Sequence, residues 1–435
     1  MNALFYIPTS LNSPEFEILL SKAQNFINER KRVTILTCSG GKDYSCSINI
    51  YSNPLICSLC NKEKSKGFNK IKGKFKLIKT DRNLKQKKFN LKNVNQLKSF
   101  KFNGVDIGLS SYSSYLANTK DHKLEGKIST KVLLKNINTT LNLYEFFSTL
   151  IEKENFDIGY AFNGRQNQYR PLLRLLVKNK IKTIILEYRG PEYTNVYEYI
   201  NHLPTDYHYQ AYKIEQNFKK LKIKKSKMKY LVNYYFRSLK LGKKIQDKVS
   251  YVEKQKDNLL PEDFKKEDEN IVIFNSSEDE YASLGEIYDN TIYKSQIDAL
   301  KNICRDLKKT KKKIIIWLRI HPNLRNVKWS YIKEFFDLES KYKFLHVISA
   351  SSEVSSYALL FNSSKVITFG SNMGIEAVYN KKPAILLNRI PYEKLKCQYV
   401  PRSHKEVMKL IYSDLKPMPT LGVEKYALFK MIGGE

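Results

Sequence analysis

The sequence predicts an α/β protein built from two doubly wound parallel sheets. Three observations carry this. Short β-rich segments alternate with helical patterns, the order that βαβ units produce. The alternation is interrupted once, by a long charged helical stretch that ends at Leu260-Pro261 and an acidic cluster, Glu262–Asp268. At roughly 100–200 residues per domain, a chain of 435 residues holds two or three domains.

The elements follow in order. Val33–Thr37 is strand-like and runs into a glycine-containing loop. Phe156–Asn163 reads as a strand ending in a turn, Tyr169–Asn179 as a helix, and Ile181–Glu187 as the next strand, a βαβ unit. Residues 209–258 are mostly helical. A new strand starts at Ile271, followed by strands at Ile314–Ile320, Phe344–Ser349, Lys365–Phe369 and Pro383–Leu387. Helical patterns at 292–309, 329–337, 354–361 and 373–379 separate them. The expected domains are 1–205, with a Cys- and Lys-rich insertion at 38–101, and 268–415. A charged helical linker spans 206–267, and a tail at 416–435 crosses back to the first domain. Two such domains place the carboxyl ends of their sheets across a cleft, where ligands bind.

Composition excludes several classes. Hydrophobic residues make up 42% of the chain and charged residues 27%, which suits a packed protein and not a disordered one. Apolar runs such as Ile314–Leu318 fall far short of the roughly 20 residues of a membrane span. The start, MNALFYIPTS, has no basic region ahead of a long apolar one, so a cytoplasmic location is expected. The net charge of +33 favours anionic partners. Residues 62–101 carry fourteen Lys and Arg82 against Glu63 and Asp81, and Lys219–Lys229 reads KKLKIKKSKMK. A solvated surface and peripheral attachment to an anionic membrane face are both consistent with these runs. No nucleic-acid-binding signature accompanies them, so nucleic acid is not expected as a partner.

Three strand-end motifs stand in the second half. Phe274-Asn275-Ser276-Ser277-Glu278-Asp279-Glu280 follows the strand at 271. Its hydroxyls and carboxylates either meet a sugar, or Ser277 caps a helix with an acidic first turn. Arg319-Ile320-His321-Pro322-Asn323 follows the strand at 314. The proline forces His321 out of helical geometry, so His321 either binds phosphate or ribose with Arg319 or caps its loop. In the third, at 367–377, Gly370, Ser371 and Gly374 let backbone N–H groups approach an anion. Glu376 there caps the helix or accepts ribose hydroxyls.

Together these motifs resemble the glycosyltransferases of bacterial capsule and surface-polysaccharide synthesis that have the two-Rossmann, GT-B architecture. The resemblance is clearest over about 271–400. It implies that His321 helps bind the donor nucleotide, that Ser371 and Glu376 hold its phosphates or ribose, and that the donor is a nucleotide sugar. Ser276, Ser277, Arg319 and Gly374 complete the expected donor set. The acceptor would be a glycan or a lipid-linked glycan. The resemblance extends to Asn163-Gly164-Arg165 and Glu187-Tyr188-Arg189-Gly190, whose Asn163, Arg165 and Arg189 would face the acceptor. A base must take the acceptor's proton. Glu187 beside Arg189 is the first candidate, with a structural Glu–Arg pair as its other reading, and Asp279 and Glu280 are the alternatives. No D-x-D motif stands at a strand end, so no metal is expected to be required for transfer.

Two features of the first half point elsewhere. Cys38, Cys46, Cys57 and Cys60 cluster, the last two as C-x-x-C, which suits structural zinc or an iron–sulfur centre as well as free thiols. Cys38-Ser39-Gly40-Gly41-Lys42-Asp43 resembles the SGGxD loop of ATP pyrophosphatases, including tRNA-modifying enzymes, the competing functional class. Tyr44 and the following cysteines depart from that pattern, because that fold needs an uninterrupted helix there.

Overall fold

The fold is described from a computed structural model. It describes all residues except 42, 82–83, 91–92, 190–194, 246–249, 286–287, 289–291 and 434–435, and only the backbone of Arg189 and Asn195. The chain divides into two compact units. The first comprises Met1–Tyr188, Val196–Asp206 and Ala282–Gly285; the second is built mainly from Tyr207–Tyr281 and Glu286–Glu435.

The first unit holds β1 (Asn2–Tyr6), β2 (Arg32–Thr37), β3 (Lys76–Lys79), β4 (Ile158–Phe162), β5 (Lys182–Arg189) and β6 (Asn195–Ile200), in the order β3-β2-β1-β4-β5-β6. The pairings among β1 to β5 are parallel. β1 is central, although it is not among the strands expected from sequence. Its Ala3, Leu4, Phe5 and Tyr6 are fully buried, as both-face burial in a parallel sheet requires. Helices α1 (Glu15–Asn28), α2 (Pro54–Phe68), α3 (Val94–Ser99), α4 (Ile107–Thr119), α5 (Ser129–Lys153) and α6 (Arg170–Lys178) belong to this unit. The segment 38–101 is no insertion, because it supplies α2 and the sheet's edge strand. The terminal lysines of that strand are exposed, which suits an edge.

The second unit opens with α7 (Tyr207–Lys220) and α8 (Lys225–Lys240). Its sheet contains β7 (Glu269–Phe274), β8 (Ile314–Arg319), β9 (Leu345–Ile348), β10 (Lys365–Thr368) and β11 (Ala384–Leu386), in the order β11-β10-β7-β8-β9, all parallel. Between and after the strands lie α9 (Glu278–Ala282), α10 (Gln296–Leu307), α11 (Ser330–Glu339), α12 (Ser356–Asn362), α13 (Met373–Tyr379), α14 (His404–Tyr412) and α15 (Leu421–Ile432). The core joins Ile271, Ile273, Ile316, Leu318 and Ile367 of the sheet to Leu300 and Ile303 of α10. Burying each such side chain stabilises the fold by about 1.5–3 kcal/mol.

Both sheets therefore have the Rossmann strand order, 3-2-1-4-5 in their own chain sequence. Two expected boundaries differ. Residues 206–267 are not a linker. α7 and α8 bury Ala211, Ile214, Val232, Tyr235 and Phe236 and pack against α15. The tail that carries α15 accordingly belongs to the second unit, because its apolar face is matched there.

Candidate functional site

In a doubly wound sheet the crevice opens where strand order reverses, and here that point lies between β7 and β10. The loops after these strands are fastened together. Ser276 Oγ donates to the Phe369 carbonyl at 2.8 Å, while Gln296 bonds the Ser276 backbone and hydroxyl. The loop after β8 joins them through His321 N–H, which donates to Asn275 Oδ1 at 2.6 Å. Gly370 sits at φ +101°, and a Cβ there would stand 2.7 Å from Tyr281 Oη. Tyr281 and Tyr392 both donate to its carbonyl. A side chain at 370 would break this closure.

The three loops line a pocket of about 290 Å³. Arg319, His321, Ser276, Ser277, Glu280, Ser371 and Glu376 all contribute to its wall. Arg319 is 2% exposed. Its Nη atoms donate to the Ser349 and Ser352 carbonyls, and its Nε has no hydrogen-bond partner. Burial, with Arg325 nearby, lowers the guanidinium to about 10, so it remains a cation at neutral pH. His321 Nδ1 accepts from Asn323 N–H at 3.1 Å. His321 thus caps its loop through Nδ1, which in the neutral ring leaves the proton on Nε2. The same ring lines the pocket, edge-on to Tyr251 at 4.8 Å. Glu376 is 6% exposed and accepts from Tyr357 Oη. Burial, against that hydrogen bond, raises its carboxyl to about 7.

Other expected residues have different roles. Ser277 Oγ donates to Asp279 Oδ1 at 2.6 Å, and Asp279 is buried, so this carboxylate holds a loop rather than facing the pocket. Glu280 is exposed and accepts from Asn323 Nδ2 at 3.1 Å. Gly374 N–H donates to the Ser371 carbonyl at 3.1 Å. It is packed closely against Gln398 and Thr368, and a Cβ at this position would stand 2.5 Å from Gln398 Nε2.

Sequence reasoning misses the segment after α8 altogether. Lys243, Lys244, Tyr251 and Gln255 line the same pocket. Their signal is hidden in a stretch that reads as a charged linker.

In the first unit, Asn163 (φ +56°) turns the chain after β4, with its Oδ1 accepting from Arg165 N–H at 3.1 Å. This loop is anchored by Arg170, 1% exposed, which bonds the Gly164 and Arg165 carbonyls and pairs with Asp106. Arg174 also bonds Asp106. Burial opposes the Asp106 charge, but the two arginines prevail and hold its carboxyl at about 2. Glu187 is half-buried within β5, which continues two residues past it. The Arg189 side chain and Gly190 lie outside the described residues.

Among the described residues no three His, Cys, Asp or Glu side chains group to hold a metal ion. Cys38, Cys46, Cys57 and Cys60 do line one small cavity of about 20 Å³. Their sulfurs are engaged locally instead: Cys38 by Gly40 N–H, Cys57 by Asn49 Nδ2 and Cys60 by Ser10 N–H. The SGGxD reading fails on the same loop. No helix follows Asp43 before Pro54, and Ser39 is tied to Thr80. Lys42 lies outside the described residues.

A family model described as capsule polysaccharide biosynthesis protein matches residues 186–394, a stretch that contains every wall of the pocket. The resemblance read from the strand-end motifs is thereby borne out over that stretch. No curated protein sequence matches the chain. Among solved structures, the β-Kdo 2,4-transferase KpsC of Thermosulfurimonas dismutans is 13% identical, over 62% of this chain and 79% of that one, with a TM-score of 0.40. A UDP-N-acetylglucosamine 2-epimerase of Listeria monocytogenes, so described provisionally, is 12% identical over 98% and 94%, with a TM-score of 0.31. Likeness at this level transfers neither substrates nor residue roles.

Proposed function

We infer that this protein is a glycosyltransferase of capsule or surface-polysaccharide synthesis, moving a sugar from a nucleotide-sugar donor to a glycan or lipid-linked acceptor. The observation that carries the reading is the pocket at the β7/β10 reversal, with a buried arginine whose Nε is unpartnered and two lysines on its wall. Its 290 Å³ is near the lower end of the roughly 300–1,000 Å³ typical of ligand sites. The family-model match supports the same reading.

In this mechanism Arg319, His321, Lys243 and Lys244 meet the donor's phosphate oxygens. Departure of the nucleotide concentrates negative charge on those oxygens, and preorganised cations stabilise it there. Glu376 accepts ribose hydroxyls, held in place by Tyr357. Side-chain cations carry the leaving-group charge, so activity in EDTA is expected to stay within about twofold. Glu280 is the base candidate on the pocket wall. Glu187, with Asn163, Arg165 and Arg189, is assigned to the acceptor. Asp279 is left a positioning role.

The test is transfer itself, read as nucleotide release from a panel of CMP-, UDP- and GDP-sugars with a polysaccharide acceptor. Glu187→Gln and Glu280→Gln are compared with the parent. Loss of a catalytic base lowers kcat by about 10²–10⁴-fold. A fall in one variant with donor KM unchanged identifies the base, and no acceptor-dependent release from any donor overturns the reading.

A further inference from the structure

The lysine run at 219–229 plays no part in the pocket. It forms the end of α7, the four-residue connection 221–224 and the start of α8, the tip of a helical hairpin. Between Glu215 and Asp247 the sequence has eleven Lys or Arg and no Asp or Glu. Seven of them, Lys219, Lys220, Lys222, Lys224, Lys225, Lys227 and Lys229, are exposed, and among the described residues none is ion-paired. Apolar side chains are interleaved with them. Leu221, Ile223 and Met228 are half-exposed, and Tyr230 is 65% exposed. The opposite face of the hairpin is spent on the fold, against α15.

We propose that the α7–α8 tip docks the protein on an anionic lipid bilayer. The lysines meet the headgroup phosphates, while Leu221, Ile223, Met228 and Tyr230 enter the boundary with the acyl chains. Such a surface gains from both contributions at once, and a bilayer answers both. The aliphatic residues between the lysines favour lipid over nucleic acid, which binds basic grooves through stacked aromatic side chains. The proposal is independent of the reading of the pocket.

The experiment is co-sedimentation of the full chain with phosphatidylcholine vesicles, with and without about one-third phosphatidylglycerol. The parent is compared with a variant carrying Lys222→Gln, Lys224→Gln, Lys225→Gln and Lys227→Gln. A charge-matched control replaces Lys62, Lys70, Lys72 and Lys74, which are exposed in the first unit. Each lysine at an anionic surface strengthens binding about fivefold, so the tip variant should bind phosphatidylglycerol vesicles at least about 50-fold more weakly. The control should stay within about threefold, and binding should fall between 0.1 and 0.5 M salt. An unchanged melting temperature shows that each variant is folded. Equal losses in variant and control, indifference to phosphatidylglycerol, or tighter tip-dependent binding to a transfer RNA than to the vesicles would each overturn the proposal.

Discussion

The two units share one strand order, and they treat its reversal point in opposite ways. In the second unit the loops after β7 and β10 stand around a pocket of about 290 Å³ with Arg319 and Glu376 in its wall. In the first unit the loops beyond β1 and β4 are tied into a buried hydrogen-bond network. Tyr6 Oη donates to the Gln168 carbonyl at 2.8 Å, and the Gln168 side chain bonds Ser47 through both its ends. Asn167 reaches the Ser45 carbonyl and Ser114 Oγ, each at 2.8 Å. Buried polar groups satisfied in this way specify a unique packing. Topology alone thus supplies a crevice, and the side chains at the strand ends decide whether it stays open as a pocket or is laced by hydrogen bonds.

Substitutions can break the contrast. The largest effect is expected from Asp106→Asn. It strips the charge partner from the buried Arg170 and should cost about 3–5 kcal/mol in urea unfolding, with nucleotide binding by the second unit unchanged. The pH dependence has a definite sign. Asp106 is held at about 2 in the fold, below the roughly 3.9 of an unfolded aspartate. Its contribution is complete above the unfolded value and is lost as pH falls through the folded one. The Asn variant should lack that part of the acid slope.

Gly370→Ala comes next. Its φ of +101° and the 2.7 Å approach of Tyr281 Oη predict a loss of about 1–3 kcal/mol, together with weaker nucleotide binding. A variant that unfolds like the parent would show that the loop can relax.

The last comparison, Glu376→Gln, is read as a change in pH dependence. Burial raises Glu376 to about 7 in the fold, above the roughly 4.3 of an unfolded glutamate. Its stabilising contribution is therefore present at low pH and is lost as pH rises through 7. Unfolding free energies between pH 4 and 8 should show the parent losing stability relative to the Gln variant as pH increases. Parallel curves would mean that the carboxyl is ordinary.

Much of this is legible in the sequence, for identifiable reasons. Buried parallel strands are apolar runs, so IVIF, IIIWL and KVIT announce β7, β8 and β10, and their ends locate Ser276, His321 and Ser371. β3 escapes notice because an edge strand tolerates the lysines of KLIK, which read as part of a charge run. Lys243, Lys244 and Tyr251 escape it because they reach the pocket through tertiary packing of α8 on α15, which leaves no local periodicity. The close packing of Gly374 against Gln398 and Thr368 is not legible either, because a glycine beside an anion and a glycine beside a neighbouring side chain look alike in one dimension.

The central claim is that the β7/β10 pocket takes a nucleotide. Thermal unfolding of the parent and of His321→Ala with CMP, UDP, GDP and ATP tests it most directly. A ligand at 100 times its Kd stabilises by about 2.7 kcal/mol. The account predicts a rise of that kind with at least one pyrimidine or guanine nucleotide, absent in His321→Ala. No rise with any nucleotide, or an equal rise in both proteins, would contradict it.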